Sequence, residues 1–166
     1  MRERLACATL PEQTVVDQVT PPRVGTVLAF DFGSKRIGVA SGELSLGLAH
    51  PLVTIAATER DRCDAAIAAL IAEWQPVWLV VGLPTHVDGT PHELTRRCRN
   101  FAQALKRRYD LPVSLVDERL TTYAAGDALR AAGVAARKQK PVRDQVAAQM
   151  ILQSFFDQRS THHVTA

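Results

Sequence analysis

The chain carries acidic residues at three places where a carboxylate needs a cation or hydrogen-bond donors to balance its charge. Asp31 ends an apolar segment, 26–31, which predicts a buried strand. A carboxylate there is costly unless a cation or hydrogen-bond donors balance its charge. Asp117 and Glu118 end another predicted strand, 113–116. Successive strand side chains point to opposite faces, so only one of this pair can face Asp31, and the spacing leaves open which.

Asp144 is the third place. At helical spacing from Asp144 the chain carries apolar residues that should face the sheet, namely Ala147, Ala148, Ile151 and Phe155. Asp144 therefore points inward, and the small alanines let the helix approach the sheet closely enough to bring it near Asp31. An acidic residue in a first helical turn can instead serve only to offset the helix dipole. The core-facing position argues against that alternative.

These carboxylates together indicate a metal site. Converging carboxylates repel one another and raise each other's pKa unless divalent cations neutralise them, and hard oxygen ligands select Mg²⁺ or Mn²⁺. We expect Asp31, Asp144 and one of Asp117 and Glu118 to bind the metal, and Asp31, Glu118 and Asp144 to be catalytic, with Glu118 favoured because its longer side chain reaches further. Two such ions can hydrolyse a phosphodiester. The alternatives are a turn-capping Asp31 and a Glu118 that pairs with Arg119.

Basic residues beside the acidic ones favour a phosphate-rich substrate. The net charge is +3 and the isoelectric point is about 9.0, which is a mild signal for a polyanionic partner. The candidate substrate-binding residues, chosen for their position beside the acidic segments, are Lys35, Arg36, Arg119, Arg137, Lys138 and Lys140. A further basic group lies on the predicted helix 91–109, where a solvated amphipathic face explains about half of its members.

The elements that must position these residues follow the order βββαβαβαα. Strands are predicted over 26–31, 36–41, 52–55, 77–81 and 113–116, and helices over 61–75, 91–109, 121–132 and 141–158, the last opened by Pro141. Three strands in a meander followed by alternating helices and strands give a mixed sheet. We therefore predict an α/β fold of ribonuclease H-like topology, a five-stranded mixed sheet flanked by helices with Asp31 near its centre.

The 166 residues suit one domain, predicted over 25–158 between a flexible leader, 1–24, and a flexible tail, 159–166. No apolar run approaches the roughly 20 residues that cross a membrane, and no signal peptide is evident. We expect a cytoplasmic protein without a membrane partner, a monomer or weak homodimer. Its three cysteines lack the spacing of a zinc site or a disulfide framework.

Four ordered segments, 30–40, 81–90, 117–122 and 144–152, resemble the YqgF/RuvX family of Holliday-junction-resolvase-like proteins assigned as pre-16S rRNA nucleases. The resemblance runs from about residue 25 to residue 158. It implies a ribonuclease H-like fold, a cytoplasmic role in maturing the 5′ end of pre-16S rRNA during ribosome biogenesis, and metal-dependent nuclease chemistry. By the same resemblance the acidic set is Asp31, Glu118 or Asp117, and Asp144.

One position departs from the junction resolvases. The acidic residue expected after the central strand is missing, because Val81 is followed by Gly82, Leu83 and Pro84. This favours an RNA substrate over a four-way DNA junction, although a junction-resolvase-like DNA nuclease stays open. A catalytically silent RNA-binding ribosome-assembly factor is the other alternative. An actin-like or sugar-kinase-like phosphate binder is disfavoured because the chain has no room for a second lobe.

Overall fold

The computed structural model describes residues 22–84, 93–117 and 136–163, with the side chains of 142–160 in the last segment. Within these residues it contains strands β1 (Thr26–Phe32), β2 (Arg36–Glu43), β3 (Leu48–Ala56), β4 (Trp78–Leu83) and β5 (Val113–Asp117), and helices α1 (Arg60–Trp74), α2 (Glu93–Tyr109) and α3 (Ala136–His163). The predicted helix 121–132 lies outside the described residues.

The five strands form one mixed sheet in the order β3-β2-β1-β4-β5. The first three strands make an antiparallel meander, and β1 pairs in parallel with β4, which pairs in parallel with β5. The predicted fold class is therefore confirmed. Strand β1 is central and carries Asp31.

The two faces of the sheet pack against different helices. Leu28 and Phe30 of β1 join a core with residues of α1 and α2, whereas Val27 and Ala29 join a second core with residues of α3, among them Ile151. We name these the helix-pair face and the α3 face. Because β1 is covered on both faces, its sequence is a nearly continuous apolar run.

The predicted helix 141–158 differs from α3 at both ends. The helix begins at Ala136, so Pro141 lies inside it and does not open it, and it ends at His163. Residues 136–140 are alanine, lysine, arginine and glutamine, which favour helix strongly enough to extend it upstream. At the other end, the Arg159 guanidinium stacks over the Trp78 ring at 5.2 Å from its centroid.

Strand β3 is also longer than the predicted 52–55. Its first half contains Pro51, which cannot donate a ladder hydrogen bond and argues against a strand in sequence reasoning. The structure places β3 at the sheet edge, where that missing donor is tolerated. The pairing register also shifts between Val39 and Ala40, so that Ala40 pairs with Pro51. No helix among the described residues is long and apolar enough to cross a membrane.

Candidate active site

The site is built around a direct contact between α3 and the sheet beside Asp31. Asp31 pairs across the strands with Gly38, and a Cβ atom at position 38 would lie 1.9 Å from the carbonyl oxygen of Asp144. No side chain fits in that space. Gly38 therefore lets the α3 backbone rest on β2, and this contact brings Asp144 next to Asp31.

Asp31 lies on the α3 face, because it alternates along β1 with Val27 and Ala29, which pack there. Burial, and after it the negative charge of Asp144, raise the pKa of the Asp31 carboxyl from 3.8 to about 6, although the positive charge of Arg143 acts in the opposite direction. The positive charge of Arg143 therefore does not fully offset the cost of ionising the Asp31 carboxyl at this position.

Asp144 is held by an arginine from the sheet. The Arg36 Nε donates a hydrogen bond to Asp144 Oδ2 at 2.6 Å, and the Asp144 side chain is only 17% exposed. Arg36 and Gly38 are two positions apart on β2, so both belong to the α3 face. Arg36, a predicted substrate-binding residue, is thus paired with a predicted metal ligand in this structure.

The dipole explanation of Asp144 is wrong. Helix α3 begins at Ala136, so Asp144 lies more than two turns from the helix start, and the first turn holds no acidic residue. The predicted inward face of this helix is confirmed, because Ala147, Ala148 and Ile151 are all buried.

Asp117 is exposed and lies at the end of β5. Val116, its neighbour, is buried in the α3 core, whereas Val113, four positions before Asp117, packs in the helix-pair core. By the two-residue period of a strand, Asp117 belongs to the helix-pair face, opposite Asp31. Glu118 and Arg119 lie outside the described residues.

The remaining predicted residues surround these elements. Lys35 is exposed in the β1–β2 hairpin. The backbone of that hairpin is closed by a hydrogen bond from Gly33 N to the Arg36 carbonyl at 2.9 Å. Arg137, Lys138 and Lys140 belong to the start of α3, where side chains are not described.

Asp31 and Asp144 supply a pair of hard oxygen ligands, which suits Mg²⁺ or Mn²⁺. Among the residues whose side chains are described, no three His, Cys, Asp or Glu residues are grouped so that they could hold a metal ion. The raised pKa of Asp31 fits a carboxyl whose ionised form is completed by a cation.

Two relationships central to this site go beyond what the sequence predicts. Gly33 and Gly38 are residues that permit close backbone approach, but the sequence does not predict that α3 makes this approach at Gly38, or that Arg36 pairs with Asp144. Gly38 and Ala40 are small residues at alternate positions of β2, and this spacing marks a strand face that a helix can approach closely. That signal was available for Gly38. Nothing local marks Arg36, whose partner is 108 residues away.

Comparison with solved structures defines the class of fold. The Thermus thermophilus RuvC in complex with a Holliday junction substrate superposes with a TM-score of 0.53, over 82% of this chain and 96% of that one, at 13% identity. The fowlpox virus resolvase in its complex with Holliday junction DNA gives a TM-score of 0.53, over 81% and 98%, at 8% identity. The fold is that of the ribonuclease H-like resolvases.

Sequence comparison defines the family. The family described as "RuvX: Holliday junction resolvase" matches residues 25–158. A protein of Nitrosospira multiformis is 57% identical over 144 residues, 87% of this chain and 95% of its own length. One of Methylobacillus flagellatus is 61% identical over 133 residues, 80% of this chain and 91% of its own length. Both are named "Putative pre-16S rRNA nuclease". The chain belongs to the RuvX family, as the resemblance of its motifs predicts.

Proposed function

We propose that this chain is a metal-dependent nuclease that hydrolyses RNA phosphodiester bonds and processes the 5′ end of pre-16S rRNA in the cytoplasm during ribosome biogenesis. The names of its relatives in Nitrosospira multiformis and Methylobacillus flagellatus support the substrate. The observation that carries the chemistry is the packing of Asp144 beside Asp31 through the contact of α3 with Gly38.

Asp31 and Asp144 would hold Mg²⁺ or Mn²⁺, with Glu118 as the third acidic ligand. Support for Glu118 over Asp117 comes from the strand period, since Asp117 belongs to the face opposite Asp31 and the next residue in an extended strand belongs to the other face. When bound, the divalent cation supplies the positive charge that offsets the carboxylates and the charge developing on the scissile phosphate.

The protein's own residues orient the ligands and the substrate. Arg36 fixes the Asp144 carboxylate by a short hydrogen bond, so this ligand is already in place when a cation arrives. Asp31 is partly buried, and the desolvation of its carboxyl strengthens its attraction for a cation. Backbone phosphates of the RNA would be bound by the basic residues that flank the acidic ones in the chain, which are Lys35, Arg119, Arg137, Lys138 and Lys140.

A DNA junction is the second candidate substrate, because the matching family is described as a Holliday junction resolvase. Two features of the chain favour RNA. Strand β4, next to β1, ends without an acidic residue at Leu83, and the carbonyl of the following Pro84 accepts a hydrogen bond from the Thr95 hydroxyl of α2. The end of β4 is therefore used for packing, and it provides no carboxylate for a junction.

The test is digestion of an RNA that spans the 5′ end of pre-16S rRNA beside a four-way DNA junction, with Mn²⁺ or with EDTA. We expect Mn²⁺-dependent cleavage of the RNA and little of the junction. Preferred cleavage of the junction would establish the second candidate. Binding of the RNA without cleavage under any metal condition would indicate a ribosome-assembly factor instead.

A further inference from the structure

The helix-pair face carries a groove that the proposed active site does not use. Two adjoining hollows of about 430 and 310 Å³ lie between α1 and α2. They share four lining residues, Arg60, Asp64, Phe101 and Ala104, and so form one continuous groove. One end opens beside Gly33 and Ser34 of the β1–β2 hairpin, and the other reaches Tyr109 at the end of α2.

The groove is positively charged along its α2 side. Helix α2 has one acidic residue, Glu93, and six basic ones, which are Arg96, Arg97, Arg99, Lys106, Arg107 and Arg108. Of these, Arg97, Arg107 and Arg108 line the groove, and Arg60 lines it from α1. Asp64 is the one acidic residue among those that line the two hollows, and it is paired with Arg108 at 3.0 Å.

Arg97 lies over an aromatic ring at the mouth of the groove. Its guanidinium carbon lies 5.5 Å from the centroid of the Phe32 ring, and Phe32 is in turn stacked on Phe101 at 4.7 Å. A guanidinium over an aromatic ring keeps its N–H groups available for a phosphate. Neither Arg97 nor Arg60 forms an ion pair with any residue the structure describes, whereas their neighbours Arg96 and Arg62 do.

We propose that this groove binds a single-stranded segment of the RNA substrate, with Arg60 and Arg97 on its phosphates and the Asn100 and Ser34 side chains as further hydrogen-bonding groups. Each hollow has the volume of a site for one small ligand, which suits individual nucleotides of an unpaired strand better than a duplex. Arginine is the side chain whose donors best match phosphate oxygens.

The position of the groove favours RNA over an acidic protein. Asp31 and Phe32 are consecutive at the end of β1, so their side chains belong to opposite faces of the sheet at the same end of this strand. A single RNA strand that bends around the β1–β2 hairpin therefore reaches both the acidic site and the mouth of the groove. The identity of the occupant rests on the proposed function, whereas the charge and shape of the groove do not.

The experiment compares two charge-matched double variants of the full chain. Arg60→Gln/Arg97→Gln removes two arginines from the groove, and Arg62→Gln/Arg96→Gln removes two from the same helices outside it. Binding of fluorescent oligouridine is measured in EDTA over a range of salt concentrations. The plot of the logarithm of the binding constant against the logarithm of the salt concentration has a negative slope. We expect the groove variant to make this slope shallower by about 1.4, or about 0.7 for each lost phosphate contact. The control variant, Arg62→Gln/Arg96→Gln, should bind oligouridine with an affinity within about twofold of that of the wild type.

The inference would be overturned if the two variants changed oligouridine binding equally. It would also be overturned if the salt dependence of binding in the groove variant were that of the wild type. The readout is independent of cleavage. If the groove variant loses binding while the wild type with Mn²⁺ leaves the precursor RNA intact, the proposed function fails and the groove inference stands. If the wild type cleaves the RNA and the groove variant binds normally, the groove inference fails alone.

Discussion

The carbonyl oxygen of Asp144 occupies the space into which a side chain at position 38 would extend, 1.9 Å from the position of its Cβ atom. Gly38 is paired with Asp31 across the strands. One missing side chain on β2 thus sets the distance between the helix that carries one candidate ligand and the strand that carries the other. Substitution at this position should change both the stability of the fold and the metal site.

We expect Gly38→Ala to destabilise the protein by roughly 1–3 kcal/mol or more, since a methyl group at this position overlaps helix backbone, which cannot rotate away as a side chain can. Urea unfolding measures the change. Gly47→Asn is the matched control, because Gly47 has a φ of 63° that asparagine accepts and nothing lies within 4 Å of its Cβ position. A control loss as large as that of Gly38→Ala would contradict the packing argument.

The stability of the metal-free protein should fall as the pH rises through the titration of Asp31. The folded-state pKa is raised from 3.8 to about 6, so the contribution of the protonated carboxyl is fully present below about pH 4 and is lost as the pH passes 6. The rise of this pKa from 3.8 to about 6 corresponds to a loss of about 3 kcal/mol in the free energy of unfolding. Asp31→Asn should remove this dependence and be more stable than the wild type at pH 7.

The measurement for Asp31 is the free energy of unfolding of both proteins between pH 4 and 7 in EDTA. Addition of Mn²⁺ should restore stability to the wild type near pH 7, because the cation binds the ionised carboxyl, and should leave Asp31→Asn unchanged. Parallel pH profiles of the two proteins would show that Asp31 is not buried as the structure places it.

The ion pair between Arg36 and Asp144 should give a measurable coupling energy. In a double-mutant cycle with Arg36→Gln and Asp144→Asn we expect about 1–2 kcal/mol in EDTA, which is the range for a partly exposed hydrogen bond between charged groups. With Mn²⁺ the coupling should decrease, because the cation then shares the carboxylate. A coupling near zero in EDTA would mean that Arg36 does not hold Asp144 in place.

Replacement of Arg137, Lys138 and Lys140 by glutamine should weaken RNA binding and leave the chemical step intact. These residues precede the acidic part of α3 and are assigned to phosphate binding. Loss of three phosphate contacts should make the dependence of log binding constant on log salt concentration shallower by about 2. Single-turnover cleavage at saturating RNA separates the two effects, since a fall in the maximal rate would place one of these residues in the reaction instead.

The sheet topology and the inward position of Asp144 were predictable because both follow from local pattern. Alternating strands and helices fix the strand order, and the spacing of Ala147 and Ala148 fixes the buried side of α3. The start of α3 was not predictable from Pro141, since the preceding residues favour helix enough to continue it. The pairing of Arg36 with Asp144 depends on how distant elements dock, which no local pattern encodes.

The most direct test of the account is Mn²⁺-dependent cleavage of the precursor RNA by the wild type and by Asp31→Asn, Asp144→Asn, Glu118→Gln and Asp117→Asn. The proposed site is on the α3 face, where Asp31 lies, so the first three variants should lose nearly all cleavage while remaining folded. Asp117 belongs to the opposite face, so Asp117→Asn should keep most of the activity. Full activity of Asp31→Asn, or loss of activity in Asp117→Asn alone, would contradict the account.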